Sequence, residues 1–160
     1  MRCPMILSKG AALFLLLVLA MVAAQARAQN QTPANVALIG WTDPDTGLIW
    51  TKSDNGSDVN WNQATDYCTN LRLGRFSDWR LPTIDELQDI YDPGIDVPGQ
   101  HADGSPVIRH LKGNLKLSGV QWSSTQVNAK EAWYFDFFRG KRYSSRLRDS
   151  DLDRALCVRR

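Results

Sequence analysis

Cysteine, histidine and methionine are scarce, at three, two and three residues of 160. A disulfide-dense scaffold is therefore excluded. So is a structural zinc site, because no Cys or His has partners at the short spacings such sites use. His101 and His110 stand nine apart and read as exposed residues. Signatures of catalysis are missing as well: there is no Gly-x-Ser-x-Gly elbow, no His-Glu-x-x-His and no marked carboxylate pair. Asp43-Pro-Asp45 and Asp54-Asn-Gly-Ser-Asp58 carry oxygen ligands without completing an EF-hand loop, and read as Asx-rich turns. Neither charge sign dominates, with 19 basic against 17 acidic residues. No internal repeat or low-complexity tract is visible, and the one long apolar run lies at the N-terminus. No catalytic residue, metal or cofactor is expected.

That run has the three parts of a secretory signal in order. Arg2 and Lys9 give a positive start, Ala11 to Ala24 is apolar, and Ala26-Arg27-Ala28 offers small residues for cleavage. The run is short for a span of about 20 residues. Cys3 precedes it, which excludes a lipoprotein. We expect a signal peptide over 1–28, a flexible leader over 29–39 and one domain over 40–160, with the product in the periplasm, on the cell surface or outside the cell. No membrane span is expected after cleavage. Losing Arg2, Lys9 and Arg27 leaves 16 basic against 17 acidic residues. Cys3 leaves too, so Cys68 and Cys157 remain as an even pair in an oxidising compartment, where a disulfide is the default.

Local patterns place the elements. Thr46 to Thr51 reads as a strand after the Asp43-Pro-Asp45 turn. Trp61, Ala64, Cys68 and Leu71 recur at three and four, one face of a helix capped by Asn60 or Asp58. Thr83-Ile-Asp-Glu86 is a capping box opening a second helix, with Ile84, Leu87 and Tyr91 on one face and Asp92-Pro93-Gly94 as its stop. From there to about Gly119 the chain is rich in Gly, Pro and Asp and reads as a long ordered loop. Val120–Ser124, Ala132–Phe138 and Arg142–Leu147 read as a β-meander, with Arg139-Gly140-Lys141 as a hairpin turn. Arg154 to Arg159 closes the chain as a last strand. The class is α+β, two helices packed on antiparallel strands with a long loop region.

Several blocks in this order resemble one family. Asp45-Thr-Gly-Leu-Ile-Trp-Thr51, Trp61-Asn-Gln-Ala64 with Tyr67-Cys68, and Asp78-Trp-Arg-Leu-Pro-Thr83 with Glu86-Leu87 are similar to the Lcl C-terminal domain family. So are Trp122-Ser-Ser-Thr125, Ala132-Trp-Tyr-Phe-Asp136 and Ala155-Leu-Cys-Val-Arg159. That family occurs in bacterial secreted and surface proteins and is named for the C-terminal domain of a collagen-like adhesin. The resemblance implies a C-type lectin-like fold, adhesion, and recognition of extracellular, polyanionic glycans. The sugar-coordinating triplets of calcium-dependent lectins are missing from the loop, and Trp122 is followed by Ser123-Ser124, so calcium-dependent coordination is not carried over.

Six tryptophans invite a sugar-stacking role. Trp50, Trp61 and Trp133 follow core periodicity, and Trp79 reads as structural, with Asp78 and Arg80 fixing its turn. Trp122 stays open between core and site. The sharper signal is charge. From Arg139 onward stand eight basic residues, Arg139, Lys141, Arg142, Arg146, Arg148, Arg154, Arg159 and Arg160, against Asp149, Asp151 and Asp153. Guanidinium forks suit sulfate, carboxylate or phosphate, although a solvated strand face would carry the same residues. The candidate ligand residues are Trp122, Arg139, Lys141, Arg142, Tyr143, Arg146 and Arg148. The expected partner is an extracellular polysaccharide or glycosaminoglycan-like polyanion, with a surface protein as the alternative. Export argues against nucleic acid. A protein-interaction or structural module of the cell envelope is the rival to glycan recognition.

Overall fold

A computed structural model describes residues 39–101, 103–151 and 153–160. The expected signal peptide and most of the leader lie outside the described residues. Two short strands come first, β1 (Gly40–Thr42) and β2 (Ile49–Thr51), joined through a turn in which the Asp43 carboxylate accepts the backbone N–H of Asp45. Helix α1 (Trp61–Asn70) follows. Asn60 caps it through a reciprocal box with Gln63, so two otherwise orphaned N–H groups are satisfied at the exposed end. The three–four spacing buries Ala64 and Cys68, and Cys68 is bonded to Cys157, 89 residues further on.

Helix α2 (Ile84–Asp89) carries the expected capping box between Thr83 and Glu86, but it is only six residues long. Tyr91 is not on its face. The Ile90 carbonyl accepts the N–H of Lys112, and Tyr91 pairs with Leu111, so tertiary pairing takes the backbone that a third helical turn would need. Here β3 (Tyr91–Gln100) begins and pairs antiparallel with β4 (Pro106–Leu111), with a register irregularity between Tyr91 and Asp96. The segment expected to be a long loop is thus largely a hairpin. Its prolines are tolerated because this ribbon has only two strands, and each strand keeps an outer edge where no N–H is needed.

The expected meander is present as β5 (Val120–Asn128), β6 (Glu131–Asp136) and β7 (Lys141–Arg146), in the order β7-β6-β5-β8. The single closing strand divides in two. β8 (Asp153–Arg154) runs parallel beside β5, and β9 (Val158–Arg159) joins β2 antiparallel in the sheet β1-β2-β9.

Strand β6 separates two apolar clusters. Phe135 and the following Phe137 pack with Trp50, Leu87, Leu111 and Val158, and Trp133 lies against the same cluster. Ala132 packs with Trp122, Trp79, Cys68 and Cys157 on the other side, where Tyr134 also lies. A period of two therefore buries both faces of one strand. Among the described residues, sheets and two helices in this sequence order make an α+β fold.

Candidate functional site

The basic hairpin is built on β6, β7 and the turn between them. Gly140, at φ 65°, donates its N–H to the Asp136 carbonyl and returns the chain as β7. The register places Arg142, Ser144 and Arg146 opposite Phe135, Trp133 and Glu131 on one face. Lys141, Tyr143 and Ser145 lie opposite Asp136, Tyr134 and Ala132 on the other. The structure therefore splits the candidate residues between two faces of an edge strand. Arg142 lays its guanidinium over the Trp133 ring, 4.9 Å from the centroid. Tyr143 stacks on Tyr134 at 5.7 Å, which in turn meets Trp122 edge-on.

Half of the basic residues are already paired. Arg139 binds Asp136 at 2.7 Å, Arg148 lies 3.9 Å from Asp149, Arg154 is buried against Asp58, and Arg159 binds Asp78 at 2.8 Å. Lys141, Arg142 and Arg146 are exposed, and none has a carboxylate partner among the described residues. Trp122 is a correction. It is fully buried, its indole N–H donates to the Val59 carbonyl at 2.9 Å, and it offers no stacking face. The hydroxyl of the neighbouring Ser123 donates to the Trp133 carbonyl, so a polar flank does not mark an exposed Trp. Trp79 is buried, and its two charged neighbours each make an ion pair. Asp78 takes Arg159, which holds its carboxyl below the ordinary value, and Arg80 takes Glu86.

His101, Arg109, Ser118, Asp136, Phe138 and Arg139 are among the residues lining a cleft of about 410 Å³ between the β3–β4 hairpin and the β6–β7 turn. Arg109 sits on β4 between Val107 and Leu111, on the inward side of the strand, and is only 5% exposed. Its Nη1 is buried with no hydrogen-bond partner, and no carboxylate lies within ion-pair distance of it among the described residues. Burial pulls the guanidinium below its ordinary pKa, against the attraction of Asp54 and Asp136.

A family model, the Lcl C-terminal domain, matches residues 40–159. The chain belongs to the Lcl C-terminal domain family. No curated protein matches it.

In this Lcl C-terminal domain a polar network supports the cleft wall. The buried Asp54 carboxylate accepts from Ser118 and from the Gln121 amide, and Arg154 donates to the Ser118 hydroxyl at 3.0 Å. Beside it, burial and the nearby Asp151 and Asp58 push Asp153 up to about 7, against the pull of Arg154. His110 is half-buried, contrary to expectation, with Nδ1 3.0 Å from the Asp96 carboxylate, whereas His101 is exposed at the cleft mouth. The signal that could have found Arg109 is the alternation Val107-Ile-Arg-His-Leu111, which sets an arginine in phase with two apolar residues.

Proposed function

We propose that this chain is a secreted, non-catalytic recognition domain of C-type lectin-like fold that binds an extracellular anionic glycan along β7. One observation carries the reading: Lys141, Arg142 and Arg146 are exposed on an edge strand without carboxylate partners, next to the half-exposed Tyr143. Three uncompensated cations along about 20 Å of strand suit a repeating polyanion better than a single small ion. A disulfide from the first helix to the segment between β8 and β9, enclosing helix, hairpin and meander in that order, supports the lectin-like reading. The product acts in the periplasm, at the cell surface or outside the cell, where that disulfide persists.

The test is retention of the mature chain on immobilised heparin in a rising salt gradient. Retention should weaken with salt, and the triple change Lys141→Gln, Arg142→Gln and Arg146→Gln should bring elution to markedly lower salt. No retention at low ionic strength overturns a polyanion as the ligand of β7. Unchanged elution of the triple variant overturns the β7 assignment. The outer edge of β7 favours one rival, a protein partner that adds a strand there. Capture of a protein from intact cells that free polysaccharide does not compete would favour that rival.

A further inference from the structure

We propose that the cleft around Arg109 is a binding site for one sugar unit bearing a single oxyanion, a carboxylate or a sulfate monoester. The inference deepens the glycan reading and rests on it, but the site is separate from β7. An inward strand position between Val107 and Leu111 would serve stability best with an aliphatic residue. Arg109 instead brings five N–H donors and a full charge to a place where Nη1 finds no acceptor. Burying such a group unpaired is strongly unfavourable, so a site that keeps one is organised for something that arrives later.

The surroundings accommodate the guanidinium rather than neutralise it. Gly99 lies beside it, and a Cβ there would stand 2.5 Å from Nη1 and 3.0 Å from the Leu117 carbonyl oxygen. Only glycine leaves that space. The nearby carboxylates are spoken for. Asp136 accepts from Arg139 and from the N–H groups of Phe138 and Arg139, Asp54 from Ser118 and Gln121, and Asp103 from Ser105.

Charge sets the ligand's valence. One buried cation without a partner matches one negative charge, and a guanidinium fork takes a carboxylate or sulfate through two parallel N–H···O bonds. A doubly charged phosphate monoester would hold its second charge against Asp136 and Asp103. Phe138 sets the shape. It is 47% exposed on the cleft wall, steadied by His101 edge-on at 6.3 Å and by Arg139 at 5.7 Å, and it offers an apolar face for a sugar ring. The volume of about 410 Å³ suits a small ligand rather than a polymer chain.

The experiment is a titration of the isotope-labelled mature chain, followed by amide NMR. The probes are glucuronate and N-acetylglucosamine 6-sulfate, with glucose and glucose 6-phosphate as comparisons. Saturable shifts at His101, Gly119 and Phe138 with either charged probe support the site, and which probe is preferred tells carboxylate from sulfate. Arg109→Met should lose at least about tenfold in affinity without a lower melting temperature, since it removes a buried charge of similar volume. Phe138→Ala, at an exposed position, should weaken binding while the fold is kept, and it decides the matter if Arg109→Met does not fold. No saturable shift with either charged probe, tighter binding of glucose 6-phosphate, or binding that survives Arg109→Met in a folded variant overturns the proposal. Sugar binding that persists in a chain with no heparin retention overturns the β7 reading alone. Heparin retention without any sugar response overturns the cleft alone.

Discussion

Asp54 and Ser118 are 64 residues apart in the chain and joined twice. The Asp54 carboxylate accepts the Ser118 backbone N–H at 2.6 Å and its hydroxyl at 2.9 Å. The same carboxylate takes the Gln121 amide at 2.9 Å, so one side chain ties the turn after β2 to the approach of β5. Asp54→Ala would strand four donors, the solvent-exposed Gly56 N–H and three further inside, of which the two on Ser118 lie on a wall of the Arg109 cleft. Each of the inner three costs about 1–3 kcal/mol, so a loss of at least about 3 kcal/mol is expected in urea unfolding. Asp54→Asn should lose less, because its carbonyl oxygen can still serve one donor.

The Cys68–Cys157 bond closes most of the domain into one loop. The chain-entropy model gives about 4–5 kcal/mol for a closure of this size. The paired change of both cysteines to Ala should lower unfolding free energy by that order, and reductant should do the same to the native chain. A change below about 1 kcal/mol would show that the unfolded chain is already constrained here.

Asp153 makes stability depend on pH in an unusual direction. Its folded-state pKa, pushed up to about 7, lies above the ordinary value near 3.9. Between those values the native state binds more protons than the unfolded one, so stability falls as pH rises. The contribution is fully present below about pH 4 and is lost as pH passes through about 7, amounting to at most about 4 kcal/mol. Asp153→Asn should remove that decline. Urea midpoints for the two proteins across pH 4 to 8 check it, and parallel curves would rule it out.

Gly140 and Gly56 separate two costs. Both have positive φ, at 65° and 72°. A Cβ on Gly140 would also stand 2.3 Å from the Tyr91 ring, whereas one on Gly56 meets nothing within 4 Å. Gly56→Ala should cost about 1 kcal/mol, for backbone alone. Gly140→Ala should cost about 2–4 kcal/mol, adding a clash with a ring packed against the core. Thermal unfolding of the two variants measures the difference.

What could be read from the chain alone depended on how local the cause was. Both helices announce themselves because a capping box and a three–four repeat need only neighbours in sequence. The β3–β4 hairpin hides behind Pro93, Pro98 and Pro106, whose tolerance depends on the ribbon having free edges, a tertiary fact. The division of the last strand is equally hidden, since β8 and β9 join different sheets. At the candidate site, Lys141 to Arg146 was legible because a strand made only of charged and hydroxyl-bearing side chains has nothing to bury. Arg109 was not, because a charge is read as pointing outward unless the phase of its neighbours is weighed above its own polarity.

The three-stranded sheet has a mechanical consequence. β1 and β9 each run antiparallel to β2 and hence parallel to each other, with Gly40 at one end of the sheet and Arg159 at the other. Tension applied at those two residues pulls the outer strands in opposite directions along their length. The hydrogen bonds on either side of β2 are then loaded together in shear instead of being unzipped one by one. Should the sheet give way, the pull passes through the Cys68–Cys157 bond, and the chain between the cysteines stays slack. Both clusters of buried side chains and both candidate binding surfaces lie largely within that slack segment, shielded from the load.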